Sequence, residues 1–61
     1  MVQFKILQDR EGYSLYYKND LFYPKWVVHR KGYKDHWNNI DEIKMEAESI
    51  LNDTVNRYGA L

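Results

Sequence analysis

Cysteine is absent from this 61-residue chain, and proline and glycine are scarce, with one proline and three glycines. Without thiols the chain can form neither a disulfide nor a thiolate metal site, and a lack of cysteine is typical of a reducing compartment. Disulfides, metals and partner chains are the usual reinforcements of domains this small. Aromatic packing or association with another chain therefore has to supply the missing stability.

Long apolar runs are also absent. No stretch reaches the roughly 18 apolar residues that read as a membrane span, and residues 1–5 lack the apolar core of a signal peptide. We therefore expect a cytoplasmic protein with no membrane partner. The length allows one domain, spanning residues 1–61.

Neither charge sign is in excess, because nine basic and nine acidic residues give a net charge of zero. This balance argues against an acidic DNA mimic and against retention on DNA by bulk positive charge. The charges are nevertheless separated along the chain. Residues 25–36 carry four cations and one anion, and residues 40–58 carry five anions and two cations. We predict a basic hairpin and an acidic helix.

Two strands and a hairpin are predicted in the first twenty residues. Apolar and polar side chains alternate over residues 2–6 and again over residues 13–17, which is typical of half-buried strands. The polar segment 8–12, closed by a glycine, predicts the hairpin loop between them. Aromatic residues are concentrated here, since nine of the ten precede residue 40.

A third strand is predicted after a two-residue turn at Asn19-Asp20, because both residues tolerate positive φ. In this register the facing residues are Tyr17 and Phe22, Leu15 and Pro24, Tyr13 and Trp26, and Tyr16 and Tyr23. Trp26 and Val28 would then lie on the inner face of the sheet, and Val27 and His29 on the outer face. Pro24 should lie at an edge or a bulge, and a longer loop over residues 19–24 is the alternative.

A fourth strand over residues 33–37 stays open. A turn at Lys31-Gly32 would allow these residues to pair back and place Trp37 opposite Trp26. The predicted sheet is therefore three-stranded, with four strands as the alternative.

An amphipathic helix is predicted from Ile40 to Tyr58. Its apolar stripe recurs every three or four residues and consists of Ile40, Ile43, Ala47, Ile50, Leu51, Thr54, Val55 and Tyr58. Asn39 is a good N-cap with Glu42 three residues later, and Gly59 suits the C′ position. The predicted fold is α+β: an antiparallel β-meander followed by one C-terminal helix packed on one sheet face.

No catalytic group is identifiable. Ser14 lies within a predicted strand, and no histidine is near it in the predicted register. The isolated glycines form no phosphate-binding loop. His29 and His36 would be diagonal neighbours on a four-stranded sheet, but a zinc site requires four ligands, and there is no cysteine or third histidine. We expect neither an enzyme nor a bound cofactor or metal.

The outer sheet face is the predicted contact surface, because one helix can cover only the other face. Its apolar residues are Leu7, Tyr16, Leu21, Tyr23 and Val27, rimmed by Lys5, Lys18, Lys25 and His29. Tyrosine is favoured at interfaces, although exposed tyrosines also stabilise cross-strand pairs. The candidate partner-binding residues are Tyr16, Tyr23, Lys25, Val27, His29, Arg30, Lys31 and Lys34.

These features predict a small non-enzymatic protein-interaction module, with a homodimer as one form of association. In its size and its lack of cysteine and catalytic groups, the chain resembles the small accessory and inhibitor proteins of phages and other mobile elements. This resemblance implies that it acts by binding a larger protein.

Nucleic-acid binding is the second interpretation. Over residues 13–51 the predicted element order resembles the arm-binding N-terminal domain of tyrosine integrases and a plant DNA-binding domain whose sheet enters the major groove. The resemblance implies phosphate contacts from the four cations between residues 25 and 34, and base stacking by Tyr16 and Tyr23. The chain departs from those domains in lacking a strongly basic sheet.

Overall fold

The computed structural model describes residues 2–20 and 23–59, so the predicted positions of Leu21 and Phe22 fall outside the described residues. Its elements are β1 (Val2–Asp9), β2 (Gly12–Asn19), β3 (Tyr23–Val28) and α1 (Ile40–Tyr58). The antiparallel strands lie in the order β1-β2-β3, and α1 packs against β1 and β2. The predicted α+β meander with one C-terminal helix is confirmed. Within the described residues no helix is long and apolar enough to cross a membrane.

A tight turn at Arg10-Glu11 joins β1 to β2. The Asp9 Oδ1 atom accepts a hydrogen bond of 2.8 Å from the Glu11 N–H. The two strands pair in one continuous register, with residues 2–9 opposite residues 12–19. Alternation along this hairpin was the basis of the prediction, and both strands are confirmed.

The third strand joins the sheet in a register that reverses its predicted faces. Tyr16 lies opposite Val28, whereas the predicted register placed it opposite Tyr23. The observed partner is five residues beyond the predicted one. Because side chains alternate along a strand, a slip by an odd number of residues moves each of them to the other face. Trp26 and Val28 therefore lie away from α1, and Val27 lies toward it, which corrects the prediction.

The predicted turn at Asn19-Asp20 is also wrong, since Asn19 is the last residue of β2 and pairs with Tyr23. The register shifts between Tyr17 and Asn19, where β3 carries two more residues than β2. Pro24 lies in this irregular stretch of an edge strand. Because proline has no N–H, it interrupts a regular ladder, and an irregular edge strand tolerates this loss. The predicted position of Pro24 at an edge or bulge is confirmed.

The segment after β3 contains a second tight turn. Lys31 and Lys34 exchange backbone hydrogen bonds of 2.8 and 3.1 Å around Gly32-Tyr33. The turn is one residue beyond the predicted Lys31-Gly32 position. Gly32 has a φ of 65°, and the first central position of a type II′ turn requires a positive φ.

Residues 33–37 form an isolated bridge instead of a fourth strand. The backbone of Trp37 exchanges two hydrogen bonds of 2.8 Å with Tyr13 of β2, so its predicted position opposite Trp26 is wrong. Gly12 permits this approach. Its φ is 126°, and a Cβ atom at this position would overlap the carbonyl oxygen of Trp37.

The helix begins and ends at the predicted residues, Ile40 and Tyr58. The Asn39 side chain accepts a hydrogen bond of 2.9 Å from the Glu42 N–H, which confirms the predicted N-cap. Gly59 has a φ of 84°, and its N–H donates to the Val55 carbonyl at 2.8 Å. Local capping chemistry therefore sets both ends.

The core lies between the sheet and the middle of α1 and is small. Among the described residues the buried hydrophobic side chains are Leu15, Trp37 and Ile43. The partly buried side chains packed on them are Phe4, Tyr13, Ala47 and Ile50. The predicted helix stripe is confirmed at its centre, whereas Trp26, predicted on the inner face, does not lie beneath α1 because the register of β3 places it on the other face.

Candidate functional site

The side of the sheet away from α1 carries a patch that we call the outer face. It consists of Lys5 and Leu7 on β1, Tyr16 and Lys18 on β2, and Trp26 and Val28 on β3. The register produces it, because Lys5 faces Tyr16 and Tyr16 in turn faces Val28, which forms one row across all three strands. The helix leaves this row uncovered.

Trp26 is the centre of the outer face. The Nζ atoms of Lys5 and Lys18 lie 4.6 and 5.0 Å from the centroid of its ring. Lys5 Nζ also lies 5.5 Å from the centroid of Tyr16. Ammonium groups at these distances are attracted to the ring, and lysine stems pack along apolar surface. Trp26 remains 38% exposed and Leu7 45% exposed, so the patch is apolar and positively charged.

The chemistry of the outer face is that of binding. Two of its six side chains are cationic, and Asp9, which follows them on the same face of β1, is bonded to His36, so the patch favours a surface that presents carboxylates. Tryptophan and tyrosine are enriched among the residues that dominate binding energy at protein interfaces. None of the six is a cysteine, serine or histidine that a neighbouring base activates.

His29 lies on the opposite side of the sheet, against α1, and its predicted outer-face position is wrong. Its ring stacks on Trp37 with centroids 5.5 Å apart and an interplanar angle of 12°. Its Nε2 atom lies 2.9 Å from Glu46 Oε1 on the helix. Its backbone N–H donates to the Leu15 carbonyl at 2.7 Å. These contacts fasten the end of β3 to the helix.

Two cavities flank the contact between His29 and Glu46. One has a volume of about 300 Å³ and is lined by Lys31, Lys34, Trp37, Glu42, Met45 and Glu46. The other has a volume of about 290 Å³ and is lined by Tyr17, His29, Arg30, Ile50, Asp53, Thr54 and Arg57. The Thr54 hydroxyl donates to the Ile50 carbonyl at 2.9 Å. It is therefore not positioned as a nucleophile toward His29.

His36 links the β1–β2 turn to the segment before α1. Its Nε2 atom lies 3.0 Å from Asp9 Oδ2, and its Nδ1 atom lies 2.9 Å from Asp35 Oδ1 and 3.5 Å from Glu11 Oε2. When both nitrogens are protonated, the ring donates to a carboxylate on each side. The hydrogen bonds that the His36 ring donates to Asp35 and Asp9 raise the pKa of His36, and the same bonds lower the pKa of each carboxyl.

The same cluster has the composition of a cation site, since the ligand atoms of Asp9, Glu11 and His36 lie within 4.8 Å of one another. Metal ligation requires a neutral imidazole, whereas the carboxylates that face both nitrogens favour the protonated ring. In the structure these side chains bind one another and connect the β1–β2 turn to the segment before α1. The predicted diagonal arrangement of His29 and His36 is also wrong, because His29 binds Glu46 and His36 binds Asp9 and Asp35.

The structure does not gather the predicted partner-binding residues into one surface. Tyr16 lies on the outer face, and Lys25 is exposed on β3. Val27 and His29 lie toward α1 instead. Tyr23 begins β3, and its side chain lies outside the described part of the chain.

The remaining predicted cations border the two cavities beside α1. Arg30 Nη1 lies 3.7 Å from Asp35 Oδ2, and Lys34 Nζ lies 5.5 Å from the centroid of Trp37. Lys31 and Lys34 also close the turn at Gly32-Tyr33. These cations are placed on the turn that precedes the helix and not on the outer face.

The sequence did not indicate that Trp26 and Val28 belong to the outer face, because the predicted register placed them on the inner face. The hairpin register alone places Lys5, Leu7 and Tyr16 on one face, because alternation continues across its tight turn. β3 lacks this alternation of apolar and polar residues, because residues 26–28 are all apolar. The sequence therefore does not indicate which of them face α1.

No protein-family model, curated protein or solved structure matches this chain. Function has to be inferred from the geometry of the site rather than from the fold.

Proposed function

We propose that this protein is a non-catalytic interaction module that binds a larger protein through the outer face. The exposure of Trp26 at the centre of that face supports the proposal most strongly. Single exposed apolar side chains are common, but contiguous apolar patches rimmed by polar residues mark interaction sites. Trp26, Tyr16, Leu7 and Val28 lie together on this face, and the polar groups next to them are the ammonium groups of Lys5 and Lys18.

The partner surface should combine carboxylates with an apolar knob or groove. Lys5 and Lys18 already lie against Trp26, so an acidic partner group can pair with each ammonium while the ring stays covered. Charge pairs of this kind fix orientation and speed encounter more than they add affinity. The exposed part of Trp26, together with Leu7, then supplies the apolar contact.

A protein is favoured over a nucleic acid on this face. Stacking of a base requires a free aromatic surface, whereas two ammonium groups lie within about 5 Å of the centroid of Trp26. The net charge of zero also gives no general attraction to phosphates.

Affinity capture with the immobilised full chain tests the proposal, with nuclease treatment of the lysate and with surface variants run in parallel. Trp26→Ala and Lys18→Glu alter the outer face, and Met45→Ala is the matched control, because Met45 is 68% exposed on α1. A protein retained in stoichiometric amount is then purified and titrated against each variant. We expect Trp26→Ala to weaken its binding at least about tenfold and Met45→Ala to leave it unchanged.

Equal binding of the purified partner by wild type, Trp26→Ala and Lys18→Glu, with circular dichroism showing all three folded, would contradict the proposal. If Met45→Ala lost binding while the two outer-face variants kept it, the contact would lie on the helix side of the molecule instead.

A nucleic-acid contact is the second candidate, and the turn at Gly32-Tyr33 is the observation that favours it. Tyr33 is fully exposed there between Lys31 and Lys34. An exposed aromatic ring between two cations matches the way single strands are bound. Anisotropy of labelled single and double strands tests it: binding that falls steeply with salt and requires Tyr33 would support this candidate. No binding at low salt would exclude it.

A further inference from the structure

The two edges of the sheet differ in how they are protected. The β3 edge is broken by Pro24 and by the register shift beside it. The β1 edge runs through eight residues without proline, glycine or a shift. Exposed regular edges are templates for pairing with another strand, and most proteins interrupt or cover them.

The backbone hydrogen bonds of β2 identify which N–H and C=O groups of β1 are open. Tyr13 bonds to Trp37, and the Leu15 carbonyl bonds to the His29 N–H, so the odd-numbered residues of β2 point away from β1. Backbone groups alternate in direction along an antiparallel strand. The odd-numbered residues of β1 therefore bond to β2. Val2, Phe4, Ile6 and Gln8 direct their N–H and C=O groups to the open edge.

Apolar side chains flank this edge on both faces. Ile6 is 37% exposed on the side toward α1, and Leu7 is 45% exposed on the outer face. Lys5, the cation of β1, is directed over Trp26 on β3 and does not screen the edge. Neither of the two cavities beside α1 is lined by a residue of β1, so neither supplies this edge with the side-chain pocket that selects a foreign peptide.

We propose that β1 pairs with β1 of a second copy of this chain, antiparallel and about a two-fold axis, to form one continuous sheet of the two copies. The open N–H and C=O groups of the two β1 strands bond to each other when even-numbered residues of one copy face even-numbered residues of the other. This parity keeps both α1 helices on the same side of the sheet. The same pairing continues the apolar layer between sheet and helices across the edge, so that Ile6 of each copy becomes less exposed.

Axes at several residues of β1, among them Phe4, Lys5, Ile6 and Leu7, satisfy this parity, and charge distinguishes them. An axis at Lys5 would place the two Lys5 side chains opposite each other, which is unfavourable. An axis at Leu7 places Leu7 opposite the partner's Leu7 and Lys5 opposite the partner's Asp9. The Leu7 axis is the one of these that sets an acidic residue opposite each lysine, and it also covers the exposed leucine. A second copy therefore complements this edge in backbone, charge and apolar contact.

Sedimentation of the full chain over a wide concentration range tests the pairing. Gln8→Pro removes an N–H that the β1–β2 ladder does not use, and Gln8→Ala is its matched control. We expect wild type and Gln8→Ala to dimerise, and Gln8→Pro to weaken dimerisation at least about tenfold, because each dimer loses two hydrogen bonds. Circular dichroism of the three proteins should be the same.

A single engineered cysteine can report which residues face each other across the two β1 strands, because the chain has no cysteine of its own. Under mild oxidation Leu7→Cys should form a disulfide-linked dimer, and Lys25→Cys on β3 should not. Wild type that remains monomeric at millimolar concentration would overturn the proposal. A dimer that survives Gln8→Pro but dissociates with Trp26→Ala would also overturn it, by placing the second copy on the outer face. Cross-linking of Lys5→Cys in preference to Leu7→Cys would overturn the register.

Discussion

Trp26 and Trp37 lie on opposite faces of the same three-stranded sheet. Trp37 is 3% exposed and stacks on His29 beneath α1, whereas Trp26 is 38% exposed and contacts Lys5 and Lys18 on the outer face. One tryptophan completes a small core, and the other is available for contact. The division follows from the register of β3, which directs Trp26 away from the helix.

Fluorescence of the two single-tryptophan variants tests this division. Trp37→Phe leaves Trp26, and its emission should be red-shifted and readily quenched by acrylamide. Trp26→Phe leaves Trp37, and its emission should be blue-shifted and protected, because the ring is buried. Equal quenching of both variants in the folded state would contradict the assigned faces of β3.

Gly12→Ala should destabilise the fold by about 2–4 kcal/mol. The new methyl group would overlap the Trp37 carbonyl oxygen, and alanine rarely adopts a φ of 126°. Gly32→Ala is the matched control, since Gly32 also has a positive φ but has no atom within 4 Å of an added Cβ. It should cost about 1 kcal/mol. Urea denaturation measures both, and equal losses would contradict the close approach of Trp37 to β2.

Stability should depend on pH through the cluster around His36. The folded pKa of His36 is raised above 6.5, so its stabilisation is fully present below pH 6.5 and is lost as pH rises through the raised value. The folded pKa of Asp9 and of Asp35 is lowered below 3.8, so their stabilisation is present above pH 3.8 and is lost as pH falls through the lowered values. The cluster therefore contributes most between these limits.

The urea midpoint of wild type and His36→Gln, measured at about pH 5 and about pH 8.5, checks this dependence. Wild type should lose more stability than the variant between the two values, because only wild type has the imidazolium that bridges Asp9 and Asp35. Parallel changes in both proteins would show that His36 does not couple to folding.

Ile43→Ala should cost about 2–5 kcal/mol, because Ile43 is fully buried between α1 and the sheet. Met45→Ala, two residues along the same helix, should change the stability by less than about 0.5 kcal/mol, since Met45 is mostly exposed. Thermal or urea unfolding compares the two. Similar losses would contradict the observed packing face of the helix.

The helix and the first hairpin were predictable because local chemistry determines them. Asn39 and Gly59 cap the helix where the sequence indicates, and the apolar stripe places Ile43 inward. The alternation of apolar and polar side chains, continued through the tight turn, determines which side chains of β1 and β2 lie on the same face of the sheet. These elements depend on neighbours close in sequence.

The candidate site was predictable only in part, because β3 is placed by contacts that are distant in sequence. The stacking of His29 on Trp37 and the bridge of Trp37 to Tyr13 depend on the path of the chain after β3. The residues Asn19-Asp20 resemble a two-residue turn, and the apolar run 26–28 fits either face. Tyr16 was therefore placed correctly and Trp26 was not.

The most direct measurement of the contact surface uses the indole N–H signals of the two tryptophans in an isotope-labelled chain, because one ring lies on each side of the sheet. The purified partner from affinity capture is added stepwise, and both signals are followed by NMR. Binding through the outer face predicts that the Trp26 signal shifts or broadens while the Trp37 signal stays in place. A shift of Trp37 with Trp26 unchanged would contradict it and place the partner on the helix side.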